Sequence, residues 1–236
     1  TGLPKNYSAP ISETDNWPRM VQIAWQINDK SGNLISSESH IIKPKGYTIP
    51  FNAEKIHGIS TQKAIDKGKE IKYVLEKFNN ELKKNKYIIG HNINFDVNIL
   101  GSEFYRSKIK TSLLEKESID TGLISKEFCQ LEGGLGGKLK MPKLIELYNI
   151  LFESDFSDAH DARADVNATA KCFFELMKRK VFETEESKLT DIKYEGVEIK
   201  ESNFKKNDDD LKNEIENKKE KIIVEPFIHL HNHSHY

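Results

Sequence analysis

Tyr87-Ile88-Ile89-Gly90-His91-Asn92-Ile93-Asn94-Phe95-Asp96 is the stretch whose reading decides the fold. Its first three residues read as a short buried strand, and Asn94 to Tyr105 has the spacing of a helix. An acid therefore sits at the start of a helix that follows a strand, where open α/β sheets place their sites. His91 and Asn92 fall on the turn, and Phe95 stands beside the acid. Two readings compete here. In one, Asp96 holds a hard cation and Phe95 stacks on a base. In the other, Asn92 or Asn94 caps the helix, Asp96 favours its first turn and Phe95 is core.

Working outward, Met20 to Ile27 mixes alternation with a nearly continuous apolar run. Asp29-Lys30-Ser31-Gly32-Asn33 is a turn signal and Leu34 to Lys43 reads as a strand, so the two runs predict a hairpin. Ser60 or Thr61 can cap a short helix. Ile71, Val74, Leu75, Phe78 and Leu82 predict an amphipathic helix over 70–84. Ser118 to Thr121 reads as a strand. Leu144, Leu147 and Leu151 mark one helix, and Ala162, Val166, Ala170, Phe173 and Met177 mark the last. Strands first, then alternating helices and strands, predict an α/β fold: a mixed sheet with flanking helices.

A second string, His160-Asp161-Ala162-Arg163-Ala164-Asp165, again sets an acid and a histidine near the start of a helix. Alone it also fits an acidic first turn with a surface histidine. Together the two strings point to chemistry. Carboxylates suit Mg²⁺ or Mn²⁺, and a histidine nearby can take a proton from water near neutral pH. Two such ions can clamp the attacking and leaving oxygens of a phosphodiester. By contrast, Gly133-Gly134-Leu135-Gly136-Gly137-Lys138 is not a phosphate loop. Such a loop needs glycine where Glu132 stands and Ser or Thr where Leu139 stands.

The 236 residues suffice for one ordinary domain plus an extension, and the net charge of −1 gives no global basic field for nucleic acid. Contact with nucleic acid must come from a local patch or from metal. Cys129 and Cys172 have no metal-ligand spacing, so reduced thiols in a cytoplasmic protein are expected. No apolar run approaches the roughly 18 residues of a membrane span. Residues 183–221 are dominated by Lys, Glu, Asp and Asn and read as a charged flexible linker. Residues 222–236 return to strand-like composition, a single strand expected to lie unpaired and unstable.

His91-Asn92-x-x-Phe95-Asp96 and His160-x-Ala162-x-x-Asp165 resemble the second and third motifs of the DEDDh 3′–5′ exonucleases, which include the proofreading subunits of bacterial replicases. Thr1-Gly2-Leu3-Pro4 resembles the end of the first motif, Asp-x-Glu-Thr-Thr-Gly-Leu. Ile49-Pro50-x-x-Ala53-x-x-Ile56-His57-Gly58-Ile59 resembles the segment bordering the nucleotide pocket. The resemblance covers about residues 1–180 and implies a ribonuclease H-like fold with two-metal hydrolysis, by Mg²⁺ or Mn²⁺, at DNA 3′ ends. It implies Asp96 and Asp165 as metal ligands and His160 as the general base. Leu3, His57, Asn92 and Phe95 would surround the terminal nucleotide. The acidic pair of the first motif has no counterpart in this sequence. That pair would complete the metal site on a strand in the middle of the sheet, so a domain over 1–182 lacking its first strand, and a poor nuclease, is expected.

Phe227-x-His229-Leu230-His231-x-His233-Ser234 resembles the opening of the PHP domain of the bacterial DNA polymerase III alpha subunit. There His231 and His233 would ligate metal. A histidine-rich tail is the other reading. The resemblance implies a proofreader joined to its polymerase domain in cis and to other replisome subunits, with no membrane association. A free-standing exonuclease of RNA ends and a non-catalytic nucleic-acid-binding module are the alternatives.

Overall fold

All nine residues of β1 (Met20–Asn28) are buried. Such a strand must lie inside a sheet covered on both faces. A computed structural model describes residues 3–154, 162–185, 192, 194 and 227–234. β1 pairs antiparallel with β2 (Leu34–Ile41), the partly exposed edge strand. Asp29 closes the hairpin, its carboxylate accepting the amides of Ser31 at 2.8 Å and Asn33 at 2.9 Å.

Three helices follow, α1 (Phe51–His57), α2 (Thr61–Lys67) and α3 (Ile71–Leu82). Ser60 caps α2, accepting the amide of Lys63 at 3.0 Å. α3 buries Val74, Leu75, Phe78 and Leu82, the stripe its spacing predicts. α1 has no counterpart in the sequence reading, because Pro50 and a single helical turn or two leave little periodicity to detect. β3 (Tyr87–Gly90) leads into α4 (Ile93–Ser107) and on to β4 (Glu117–Asp120), which is parallel to β3. α5 (Thr121–Cys129), also unforeseen, starts where the sequence suggested continued strand. Asp120 ends β4 and caps α5, accepting the amide of Gly122 at 2.9 Å. α6 (Leu144–Phe152) and α7 (Ala162–Lys178) are the last α-helices among the described residues.

The fifth strand, β5 (Phe227–Ser234), is central: the sheet order is β2-β1-β5-β3-β4. β5 runs antiparallel to β1 from Met20↔Ser234 to Asn28↔Phe227 and parallel to β3 from Tyr87↔Phe227 to Ile89↔His229. The expectation that this segment would lie unpaired is thus corrected. The slot between β1 and β3 supplies two open edges and apolar surroundings on both sides. Ile228 and Leu230 join the core formed with Trp25, Phe78 and Leu100. Phe227 joins the opposite core, with Tyr87, Ile89 and the α7 residues Phe173 and Phe174. Full burial of each such side chain stabilises by about 1.5–3 kcal/mol.

Within the expected linker, Glu183 and Glu185 are exposed, but not every described residue is solvated. Thr184 and Tyr194 are buried, and Tyr194 stacks on Phe174 with ring centroids 4.9 Å apart. Residues 186–191, 193 and 195–226 lie outside the described residues. Among the described residues, no helix is long and apolar enough to cross a membrane.

Candidate active site

α4 starts with a tight turn that the sequence builds from three contributions. Gly90 leaves room for Ile93, whose side chain a Cβ at position 90 would meet at 2.5 Å. Asn92 takes a left-handed conformation (φ 61°, ψ 43°), which asparagine tolerates better than most residues. Asp120 then accepts the amides of Asn92 at 3.0 Å and Ile93 at 3.2 Å from across the β3–β4 pair. The cap of α4 therefore comes from Asp120. Asn92 itself makes no side-chain cap hydrogen bond.

His91 is held on both sides. Its Nδ1 lies 2.9 Å from the Thr121 hydroxyl and its Nε2 lies 2.8 Å from the Pro142 carbonyl. Burial pushes its pKa down, against the pull of the Pro142 carbonyl and of Asp120. This ring is a brace between β3, α5 and the loop before α6. Asp120, Thr121 and Pro142 were not read as site residues. An aspartate between a strand and Thr-Gly is a detectable cap signal, but its reach to Asn92 depends on strand register.

The turn delivers Asp96 into the interior, 3% exposed. α7 delivers Asp165, 8% exposed, from the other direction. α7 comes close to the sheet because Ala24, Ala162 and Val166 pack as one small cluster. Ala24 is also the register partner of His231 on β5. The His231 ring lies between the two acids, its Nδ1 4.0 Å from Asp96 Oδ1 and its Nε2 3.4 Å from Asp165 Oδ2. Asp96 and Asp165 are thus brought to one imidazole, which the sequence had assigned elsewhere.

The remaining candidates are placed differently. Phe95 is partly buried and packs against the core under α3 and α4. His57 ends α1, largely buried, and its Nδ1 accepts the amide of Ile59 at 3.1 Å. Burial first, then Lys63, lowers its pKa. Leu3 is 52% exposed. His160 lies outside the described residues. Among the described residues, the side chains as they stand offer no ready ligand set for the two ions expected from the motifs. Two carboxylates face an imidazole, and among the described residues no three His, Cys, Asp or Glu side chains are arranged to hold a metal.

Residues 13–173 match the protein-family model described as Exonuclease (RNase T). A search of curated proteins finds no match. Among solved structures, E. coli Exonuclease I in complex with a dA16 oligonucleotide is 24% identical, with a TM-score of 0.56 over 70% of this chain and 38% of that one. Another structure of exonuclease I is 25% identical, with a TM-score of 0.57 over 67% of this chain and 37% of that one. A complex of ExoI with SSB-Ct is 22% identical, with a TM-score of 0.56 over 68% and 37%. The chain therefore spans less than half the length of these proteins, and the fold is the ribonuclease H-like one.

Proposed function

Because this chain belongs to the exonuclease family, we propose that it is the nuclease body of a 3′–5′ proofreading exonuclease attached to a polymerase III alpha-type replicase in the cytoplasm. The observation that carries the reading is the convergence of Asp96, at the first turn of α4, and Asp165, on α7, on a single point at β5. In this reading the two aspartates are ligands for divalent metal, Mg²⁺ or Mn²⁺. His160 takes the proton from the attacking water. Leu3, His57, Asn92 and Phe95 border the terminal nucleotide of a DNA 3′ end. The oligonucleotide and SSB-Ct complexes of Exonuclease I support single-stranded DNA and replication proteins as the partners to test first. The polymerase assignment rests on the resemblance of Phe227-x-His229-Leu230-His231-x-His233-Ser234 to the opening of a PHP domain.

With β5 carrying histidine where that reading wants acid, the unchanged chain is a poor nuclease. The test is a double variant, His231→Asp with His233→Glu, which places an acidic pair two positions apart on β5. It should release mononucleotides from the 3′ end of single-stranded DNA only when Mg²⁺ or Mn²⁺ is present. Asp96→Ala or Asp165→Ala in that background should abolish the activity. Release that begins at 5′ ends, or that survives both alanine changes, contradicts the reading.

One observation favours a second reading, a nucleic-acid-binding module without catalysis: the imidazole held between the carboxylates. Single-stranded DNA binding without cleavage by the double variant would select it. The third reading, an exonuclease of RNA ends, predicts that the double variant prefers RNA.

A further inference from the structure

The central strand and the acidic pair do not match in chemistry. Two buried carboxylates that approach one point need a positive or hydrogen-donating partner there. Nuclease sites of this kind place a divalent cation at such a point. Here the point holds the His231 ring, one nitrogen toward Asp165 at 3.4 Å and the other toward Asp96 at 4.0 Å. We propose that His231 is a resident plug: its imidazole takes the position of a cation between Asp96 and Asp165, and ring and cation exclude each other. The inference rests on the assignment of the two aspartates as a cation site.

Three features hold the plug in place. Ala24 lies beside His231 in the β1–β5 ladder and is too small to displace the ring. Ile228 and Leu230 anchor the strand in the core on the α3 and α4 side, and Phe227 anchors it against α7. The ring itself uses a different nitrogen for each acid. A single cation shared by both acids and the ring would need one nitrogen directed at the point where the carboxylates meet. The arrangement is that of a barrier, not of a ligand set, in keeping with the absence of a metal-ready cluster among the described residues.

His229, two positions earlier on β5, fits its slot less well. Both of its ring nitrogens are buried without a hydrogen-bond partner among the described residues, and its ring packs against Phe173 and Phe174. A strand adapted only to this core would carry an apolar residue there. The occupant of the slot thus bears two imidazoles in a place built from hydrocarbon and carboxylate.

The experiment is calorimetric titration of Mn²⁺ into the 236-residue chain, into His231→Ala and into His231→Ala with Asp165→Asn. His231→Ser serves as a second truncation in case the alanine variant does not fold. Removing the ring should tighten Mn²⁺ binding by about tenfold or more, a change of about 1.4 kcal/mol. The gain should vanish with Asp165→Asn. Weaker binding after truncation would make His231 a ligand and overturn the proposal. Unchanged affinity would do the same, because the ring would then bar nothing. Absence of Mn²⁺ binding in every variant would also overturn it, while the exonuclease reading would still be judged separately by the activity of His231→Asp with His233→Glu.

Discussion

The carboxylate of Asp120 accepts the backbone amide of Asn92 at 3.0 Å, tying the end of β4 to the turn that starts α4. The same carboxylate accepts from Ile93, Gly122 and Leu123. One side chain thus caps two helices and sets the position of Asp96.

Asp120→Ala leaves these amides without their acceptor. The loss of a helix cap costs about 0.5–2 kcal/mol, and each buried amide left unpaired adds to it. We expect a destabilisation of about 2–4 kcal/mol by denaturant titration. Asp120→Asn should recover part of it, since the amide oxygen still accepts. A change within about 0.5 kcal/mol for the alanine variant would mean that the turn holds without the carboxylate.

Glu103 is the second such tie. It is fully buried, its Oε1 accepts hydrogen bonds from Arg19 Nε at 2.8 Å and the Met20 amide at 3.1 Å, and Arg106 Nη1 forms an ion pair with it at 3.0 Å. Arg106 also donates to the carbonyls of Thr14 and Trp17. The group fastens the segment before β1 onto α4. Removing one partner of a buried ionic group costs about 3–5 kcal/mol, because the remaining charge stays buried. Glu103→Ala should therefore lower the denaturation midpoint strongly. Limited proteolysis should then cut first within residues 3–19. A loss of stability without earlier cleavage there would separate Glu103 from the role of fastening that segment.

His229 predicts the acid response. Burial alone lowers its pKa from 6.5 to about 3. Between these values the unfolded chain binds a proton that the folded chain does not, so stability falls as pH falls from about 6.5 toward 3. The slope approaches about 1.4 kcal/mol per pH unit. His57 and His91, also lowered by burial, act in the same direction. His229→Leu should remove the largest part of the slope below pH 6. It should also stabilise the protein at pH 7 by about 1–3 kcal/mol, since no buried nitrogen remains unpaired. An acid response identical in the leucine variant would show that β5 does not hold His229 in the core.

Much of this architecture was legible in the sequence. The nearly continuous apolar run from Met20 and the short apolar run Tyr87-Ile88-Ile89 name their strands because a strand covered on both faces is apolar throughout, and the stripe of α3 names its helix because burial on one face leaves a period. α1 and α5 left none: each is short, and α5 owes its start to the side chain of Asp120. The seat of β5 was illegible for a different reason. Its alternation predicts a strand, but which edges a strand joins is a long-range property. The motif resemblance pointed away from this sheet, toward a separate domain. His231 was accordingly read as half of a metal pair with His233. Its place beside Asp165 follows only from the register with Ala24.

The central claim is that residues 227–234 form the middle strand of this sheet, and native-state amide exchange measures it directly. Ile228 and His229 lie between β1 and β3, and Leu230 pairs with Trp25 of β1; the amides of all three should be protected as strongly as those of Ile23 and Trp25 on β1. Exchange of these three amides at the rate of an unstructured peptide, while Ile23 and Trp25 remain protected, would contradict the account and return the segment to the unpaired state its composition suggested.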